Sequence, residues 1–171
     1  KSWPGQYVSV NFSPRQFRRH NFVAHVVERV ASAGVEPGRF QIEITETAIF
    51  DNVERAAEIL FKLRQMGFRI ALDDFGTGYS SLYNIRRFAL DCLKIDRSFV
   101  DGMGRERESA AIVHSVIDLG RALGMEVVAE GVETAVQLEA LRLAGCSHMQ
   151  GYHLSRPVVA EAALALAERG S

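Results

Sequence analysis

The sequence predicts an α/β fold of parallel strands joined by crossover helices. Segments of helical period alternate with short apolar runs along the whole chain, and alternation with short turns specifies parallel pairing rather than hairpins. The helical segments also end alike. Gly34, Gly67, Gly124 and Gly145 each follow an apolar face and stand where a helix C-cap takes a left-handed residue. Such a chain forms either an open doubly wound sheet or a closed (β/α)8 barrel of the TIM type. Arithmetic favours the barrel: six units in 171 residues take ~30 each, and a full eight-unit barrel takes ~250. Residues 1–171 are therefore expected to be the last six units, the C-terminal two-thirds of one domain.

The helix starts agree with the stops. Ser13-Pro14 with Gln16, Asp51 with Glu54, and Thr134 with Gln137 each place a capping side chain three residues before a reaching Glu or Gln. Helices are expected near 14–33, 52–66, 105–123 and 134–144. Strands are expected at Tyr7-Val8-Ser9-Val10, 40–44, 69–72, 92–95 and 126–129, with a weaker one at 149–154. Val8, Ile42 and Leu72 are expected to point into the barrel, where two missing units would leave them uncovered.

Composition limits the classes of function. Twenty Lys and Arg against 21 Asp and Glu, with 47% hydrophobic and 24% charged residues, is ordinary globular usage and excludes a disordered, collagenous or disulfide-stapled chain. A net charge of -1 supplies no field for a DNA or RNA backbone, so no nucleic-acid polymer is expected as partner. Every stretch near the ~18 apolar residues of a membrane span is interrupted by charge. The expected location is cytoplasmic, including the cytoplasmic part of a membrane-anchored parent. Cys92 and Cys146 have no metal-ligand spacing and read as buried structural thiols.

In a parallel sheet the ligand site lies beyond the carboxyl ends of the strands. Those ends carry Asn11, then Glu43 with Glu46, Asp73-Asp74, Lys94 with Asp96, Glu130 with Glu133, and Gln150. Several carboxylates at one mouth cannot all stay ionised without hard cations. Adjacent Asp73 and Asp74 suit a bridge between two ions ~3.5–4 Å apart, the arrangement that clamps both oxygens in phosphodiester cleavage. The competing explanation is that these acids cap the following helices. Lys94, inside an apolar run, is expected to face the acidic mouth, orienting water or neutralising a phosphoryl oxygen.

The loop Asp73-Asp74-Phe75-Gly76-Thr77-Gly78-Tyr79-Ser80-Ser81 follows its strand directly. As a dinucleotide fingerprint it fails, because Ser81 stands where the third glycine belongs. It fits a mobile loop bearing metal ligands, with Gly76, Thr77 and Gly78 available to phosphate. The five histidines form no ligand pair, and only His148 and His153 lie near the expected site. Trp3, Phe12 and the other aromatics are expected in the core.

At these residues the sequence resembles the EAL-domain family of cyclic di-GMP phosphodiesterases and receptors. The matching motifs are Val10-Asn11-Phe12-Ser13, Glu43-Ile44-Thr45-Glu46, the Asp73–Ser81 loop, Lys94-Ile95-Asp96, Ala129-Glu130-Gly131-Val132-Glu133 and Gln150-Gly151-Tyr152. The resemblance implies a (β/α)8 barrel and hydrolysis of cyclic di-GMP to linear pGpG with Mg²⁺ or Mn²⁺, Ca²⁺ acting as substitute or inhibitor. It implies that Asn11, Glu43 and Asp73 bind one ion and Asp73, Asp74 and Glu130 the second. Lys94 would position the attacking water and Glu46 would brace the glycine loop. Gln150 would lie near the substrate, with Asp96 beside it. It further implies a homodimer through residues 80–87, although Tyr83, Ile85 and Phe88 fit a core equally well, and linkage to sensor or diguanylate cyclase domains. The family's Glu-Ala-Leu motif has no counterpart here, so residues 1–171 alone are expected to be inactive. The alternative is a receptor that binds the dinucleotide without cleaving it, although no metal ligand of the matching motifs is lost. An enolase-like lyase gives no reason for the Asp-Asp-Phe-Gly-Thr-Gly loop.

Overall fold

The computed structural model of the chain describes residues 6–77 and 82–169. Gly78, Tyr79, Ser80, Ser81 and Trp3 lie outside the described residues. Six strands alternate with nine helices among them: β1 (Val8–Phe12), α1 (Pro14–Phe17), α2 (Phe22–Ser32), β2 (Phe40–Thr45), α3 (Glu46–Phe50), α4 (Val53–Gln65), β3 (Arg69–Phe75), α5 (Leu82–Arg87), β4 (Cys92–Ile95), α6 (Arg97–Gly102), α7 (Arg107–Leu123), β5 (Glu126–Ala129), α8 (Ala135–Leu143), β6 (His148–Met149) and α9 (Ala160–Arg169).

The strands form one sheet in the order β1-β2-β3-β4-β5-β6, every pair parallel. A doubly wound sheet reverses its order near the middle, whereas a barrel adds each strand beside the last. Sequential order therefore settles the choice for a TIM-type (β/α)8 barrel. Right-handed crossovers then put the helices on one face and leave the other as the barrel's interior.

Register shows which residues take which face. Asn11 pairs with Glu43, Glu43 with Ala71, Ala71 with Cys92, and Cys92 with Glu126, so these share the interior face with their period-two neighbours Gln41, Arg69 and Lys94. Ile42, Ile44, Ile70, Leu72, Leu93 and Ile95 point the other way and are at most 1% exposed under the helices. The expectation that Ile42 and Leu72 point inward is thus corrected. Val10 and Ile42 face Val26 and Val30 of α2, and Val8 is 62% exposed. The interior is polar instead. Arg69 Nη2 lies 2.7 Å from Glu126 Oε2 with its guanidinium over the Tyr7 ring, and Gln41 donates to Ser9 Oγ at 3.2 Å.

The helices cover the apolar face at the spacing their sequence predicts. Buried Phe22, Val26 and Val30 recur every four residues on α2; Ala56, Ile59, Leu60 and Leu63 line α4; Val113, Val116, Ile117 and Gly120 line α7. At Gly120 the approach is so close that a Cβ would fall 2.2 Å from Val127 Cγ2 of β5. The four glycine stops hold, with φ between +65° and +91° at Gly34, Gly67, Gly124 and Gly145. Capping boxes form at Ser13 with Gln16 and Thr134 with Gln137.

Other boundaries differ from expectation for local reasons. The helix predicted over 14–33 breaks between Phe17 and Phe22, which a continuous helix would place about 140° apart. The break lets both rings enter one cluster, edge-on to each other at 5.4 Å, with Phe22 also 5.0 Å from Phe12. The cap of α4 is Asn52, whose side chain accepts from Arg55 N, while Asp51 pairs with Arg18 at 3.3 Å. Helices α3, α5 and α6 are too short to show a period, and α9 was not expected. The strand predicted over 149–154 shrinks to His148–Met149. Ile85 and Phe88 are core residues.

Leu72→Ala should cost about 2–5 kcal/mol in denaturant unfolding, because the fully buried side chain leaves a cavity under the helices. Thr134→Ala, which removes one cap, should cost about 1 kcal/mol. A loss below about 1 kcal/mol for Leu72→Ala would show that the core lies on the other face.

Candidate active site

Lys94 gathers the site. It lies on the interior face of β4, 4% exposed, and its Nζ is 2.6 Å from Glu43 Oε2 of β2, 2.6 Å from Glu130 Oε1 after β5, and 3.3 Å from Asp73 Oδ1 of β3. Burial alone would lower the ammonium's pKa. The hydrogen bonds to Glu130 and Glu43, with the charge of Asp73, outweigh that and raise it above the ordinary lysine value. Lys94 is therefore a fixed cation.

One positive charge faces more than one negative. Asp74 follows Asp73, and consecutive strand residues normally point to opposite faces. Here the register of β3 against β4 shifts between Leu72 and Phe75, and Asp74 takes φ +55°, a left-handed conformation that an Asp tolerates better than most residues. Its N–H donates to Asp73 Oδ1 at 3.1 Å. As a result Asp73, Asp74 and Glu130 each present an oxygen within 4.8 Å of the others. Burial, then the charge of Asp73, then that of Asp96 raise the Asp74 pKa. Burial likewise raises that of Glu130 against the pull of Lys94. An oxygen-only cluster in which Asp74 and Glu130 resist ionisation is chemically fitted to a divalent cation, which compensates the excess charge.

The other expected residues take distinct places. Asn11 is exposed and sits in register beside Glu43 on the same face. Glu46 is 4% exposed at the first position of α3. Gln150 follows β6, its N–H donating to Ala129 O at 2.8 Å, and with Glu43, Lys94, Gln41 and His148 it lines a cavity of about 240 Å³. Asp96 caps α6, accepting from Ser98 N at 3.0 Å and from the Ser98 hydroxyl. Gly76 has φ +100°, and Thr77 Oγ1 donates to Asp74 O at 2.8 Å, folding the start of the glycine loop back on the bulge. Gly78 is beyond the described residues. His153 is exposed, and His148 Nδ1 bonds Ser147 Oγ at 2.8 Å. Both cysteines are buried thiols, Cys92 pushed up to about 12, which keeps it unreactive. Arg97, at the start of α6, reaches Glu133 Oε1 at 2.9 Å, a pairing between two βα units that no motif or spacing in the sequence signals.

A family model described as the EAL domain matches residues 2–157. The chain belongs to the EAL-domain family. A signalling protein of Caulobacter vibrioides is 44% identical over 155 residues, covering 91% of this chain and 19% of that protein. MucR of Pseudomonas aeruginosa, named as a bifunctional diguanylate cyclase and cyclic di-GMP phosphodiesterase, is 40% identical over 158 residues, covering 92% of this chain and 23% of MucR. The solved MucR phosphodiesterase in complex with cyclic di-GMP superposes with a TM-score of 0.89 at 39% identity, covering 92% of this chain and 64% of that one. BlrP1 of Klebsiella pneumoniae, solved with manganese and cyclic di-GMP, superposes with a TM-score of 0.81 at 34% identity over 88% of this chain and 39% of that one. The chain spans about a fifth of the length of these curated relatives. Among the described residues no helix is long and apolar enough to cross a membrane.

The raised pKa values fix a pH dependence. Asp74 and Glu130 ionise above their ordinary values of 3.8 and 4.5, so without a cation their contribution to stability is fully present below those values and is lost as pH rises through the raised ones. A bound cation reverses that loss. The rise in Tm produced by Mn²⁺ should therefore be larger at pH 8 than at pH 5, with proton release on binding in calorimetry at the acid end. Equal Tm shifts at both pH values would contradict this assignment.

Proposed function

We propose that the protein hydrolyses one phosphodiester bond of cyclic di-GMP, adding one water across it to give linear pGpG, and that residues 1–171 are the C-terminal two-thirds of the domain that does so. The observation that carries this reading is the convergence of Glu43, Asp73, Asp74 and Glu130 around the Lys94 ammonium at the carboxyl ends of the strands. Asn11, Glu43 and Asp73 would hold one divalent cation, and Asp73, Asp74 and Glu130 a second. Mg²⁺ or Mn²⁺ there supplies Lewis acidity toward the phosphoryl oxygens and lowers the pKa of water.

The chain's own residues do the rest. Lys94, held protonated by its carboxylates, orients the attacking water and neutralises charge on the phosphate. Glu130, whose carboxylate lies 2.6 Å from the Lys94 ammonium, takes the water's proton, which then passes to the departing alkoxide oxygen. Glu46 braces the glycine loop from the start of α3, and Gln150 reaches the substrate from the cavity it shares with Lys94. Asp96, Gly76 and Thr77 border the substrate. The domain works with sensor or diguanylate cyclase domains attached, as a homodimer in the cytoplasm.

The test is to incubate the whole protein with cyclic di-GMP and Mn²⁺ and to follow pGpG by chromatography. Asp73→Asn should lower turnover on the order of 100-fold or more while leaving the fold intact, since it keeps the shape and removes charge from the centre. Near-normal turnover of that variant at saturating Mn²⁺ would contradict the role of Asp73. Tight binding of cyclic di-GMP without any pGpG would make the protein a receptor.

A further inference from the structure

Lys94 and Arg97 stand three residues apart at the end of β4, and Glu130 and Glu133 stand three apart after β5. The two cations each reach one of these two glutamates: Lys94 Nζ, besides Glu43 and Asp73, is 2.6 Å from Glu130 Oε1 inside the barrel, and Arg97 Nη2 is 2.9 Å from Glu133 Oε1 outside it. From this double clasp we infer that Arg97 is a positioning residue that sets the Glu130 carboxylate for cation binding, acting through the turn from Glu130 to Thr134. The inference rests on Glu130 being a cation ligand, as proposed above.

The outer clasp is a closed ring of side chains. Arg97 Nε pairs with Asp101 Oδ2 at 3.2 Å, and Gln137 Nε2 donates to Asp101 Oδ1 at 3.1 Å. Gln137 Oε1 in turn accepts from the backbone N–H groups of Glu133 and Thr134 at 2.8 and 2.9 Å. The aliphatic stem of Arg97 lies flat against the turn. Gly131, at φ +72°, would bring a Cβ within 2.3 Å of Arg97 Cγ. Across the turn, Val132 N donates to Gln150 O at 3.0 Å and His153 N to Val132 O at 2.9 Å. Glu130 is thus anchored by its own N–H on Ile95 O and by a turn gripped from both sides.

Stability does not explain such a ring. The Arg97 side chain is 54% exposed, and ion pairs at that exposure add little to folding free energy. Geometry does explain it, because a ligand or catalytic group misplaced by about 1 Å can cost on the order of 100-fold in rate. The matching spacing of Lys94-x-x-Arg97 and Glu130-x-x-Glu133 then has one purpose: the buried pair sets the end of the carboxylate and the exposed pair sets its backbone.

The experiment reads Mn²⁺ affinity of the whole protein without substrate, by electron paramagnetic resonance titration, together with Tm. Arg97→Met keeps the stem over Gly131 and removes the guanidinium. It should weaken Mn²⁺ binding roughly tenfold while shifting Tm by no more than about 3 °C, and Arg97→Lys should recover part of the loss. Combined with Glu133→Gln, the losses should be non-additive, the double variant binding no worse than the weaker single. Arg97→Met binding within about twofold of the wild type overturns the inference, and so do losses that simply add. If Arg97→Met lowers Tm further, the comparison of Glu133→Gln with wild type decides alone, on the same criterion. A wild-type protein that binds Mn²⁺ but makes no pGpG would sink the phosphodiesterase reading and leave this test intact.

Discussion

An ammonium group taken out of water inside a sheet is stable only when carboxylates surround it, and Lys94 has three within 3.3 Å. That requirement fixes much around it. Glu43, Asp73 and Glu130 come from three different units, so they can reach one nitrogen only if β2, β3, β4 and β5 lie side by side, parallel and in order. The same condition explains why the interior face stays polar down to Arg69 and Glu126 while the apolar residues turn outward to the helices. Removing the ammonium would strand buried like charges, which costs far more than the pair gains over an apolar substitute.

The centre remains charge-deficient even with Lys94 in place, and the bulge in β3 increases the deficit. Without the register shift, Asp74 would face the helices and find no role. With it, two adjacent acids and Glu130 converge, and burial first, then the neighbouring charge of Asp73, raises the pKa of both Asp74 and Glu130. A left-handed Asp at a strand end is local strain kept where a site uses it.

Much of this was legible in the sequence because the signals were local or periodic. The glycine stops, the two capping boxes and the strands around Leu72, Leu93 and Val127 follow from spacing and turn chemistry. So does the mouth, since a polar residue at each strand end needs only the rule that parallel sheets act at their carboxyl edge. Sidedness was not legible. A run such as Gln41-Ile42-Glu43-Ile44 alternates either way, and only the register shows that Ile42 faces α2. Nor could spacing show the break at Phe17 to Phe22, which serves a contact with Phe12, or Asn52 displacing Asp51 as a cap. The ring through Arg97, Asp101 and Gln137 is closed by a hydrogen bond between residues 36 positions apart and leaves no periodic trace.

The most direct measurement is anomalous diffraction from crystals of the whole protein grown with Mn²⁺. The account predicts an anomalous peak coordinated by oxygens of Asp73, Asp74 and Glu130 at about 2.0–2.4 Å, with Lys94 alongside and still bonded to at least one carboxylate. Manganese ordered elsewhere, with Asp73 and Glu130 unchanged on Lys94 and no peak between them, would contradict it.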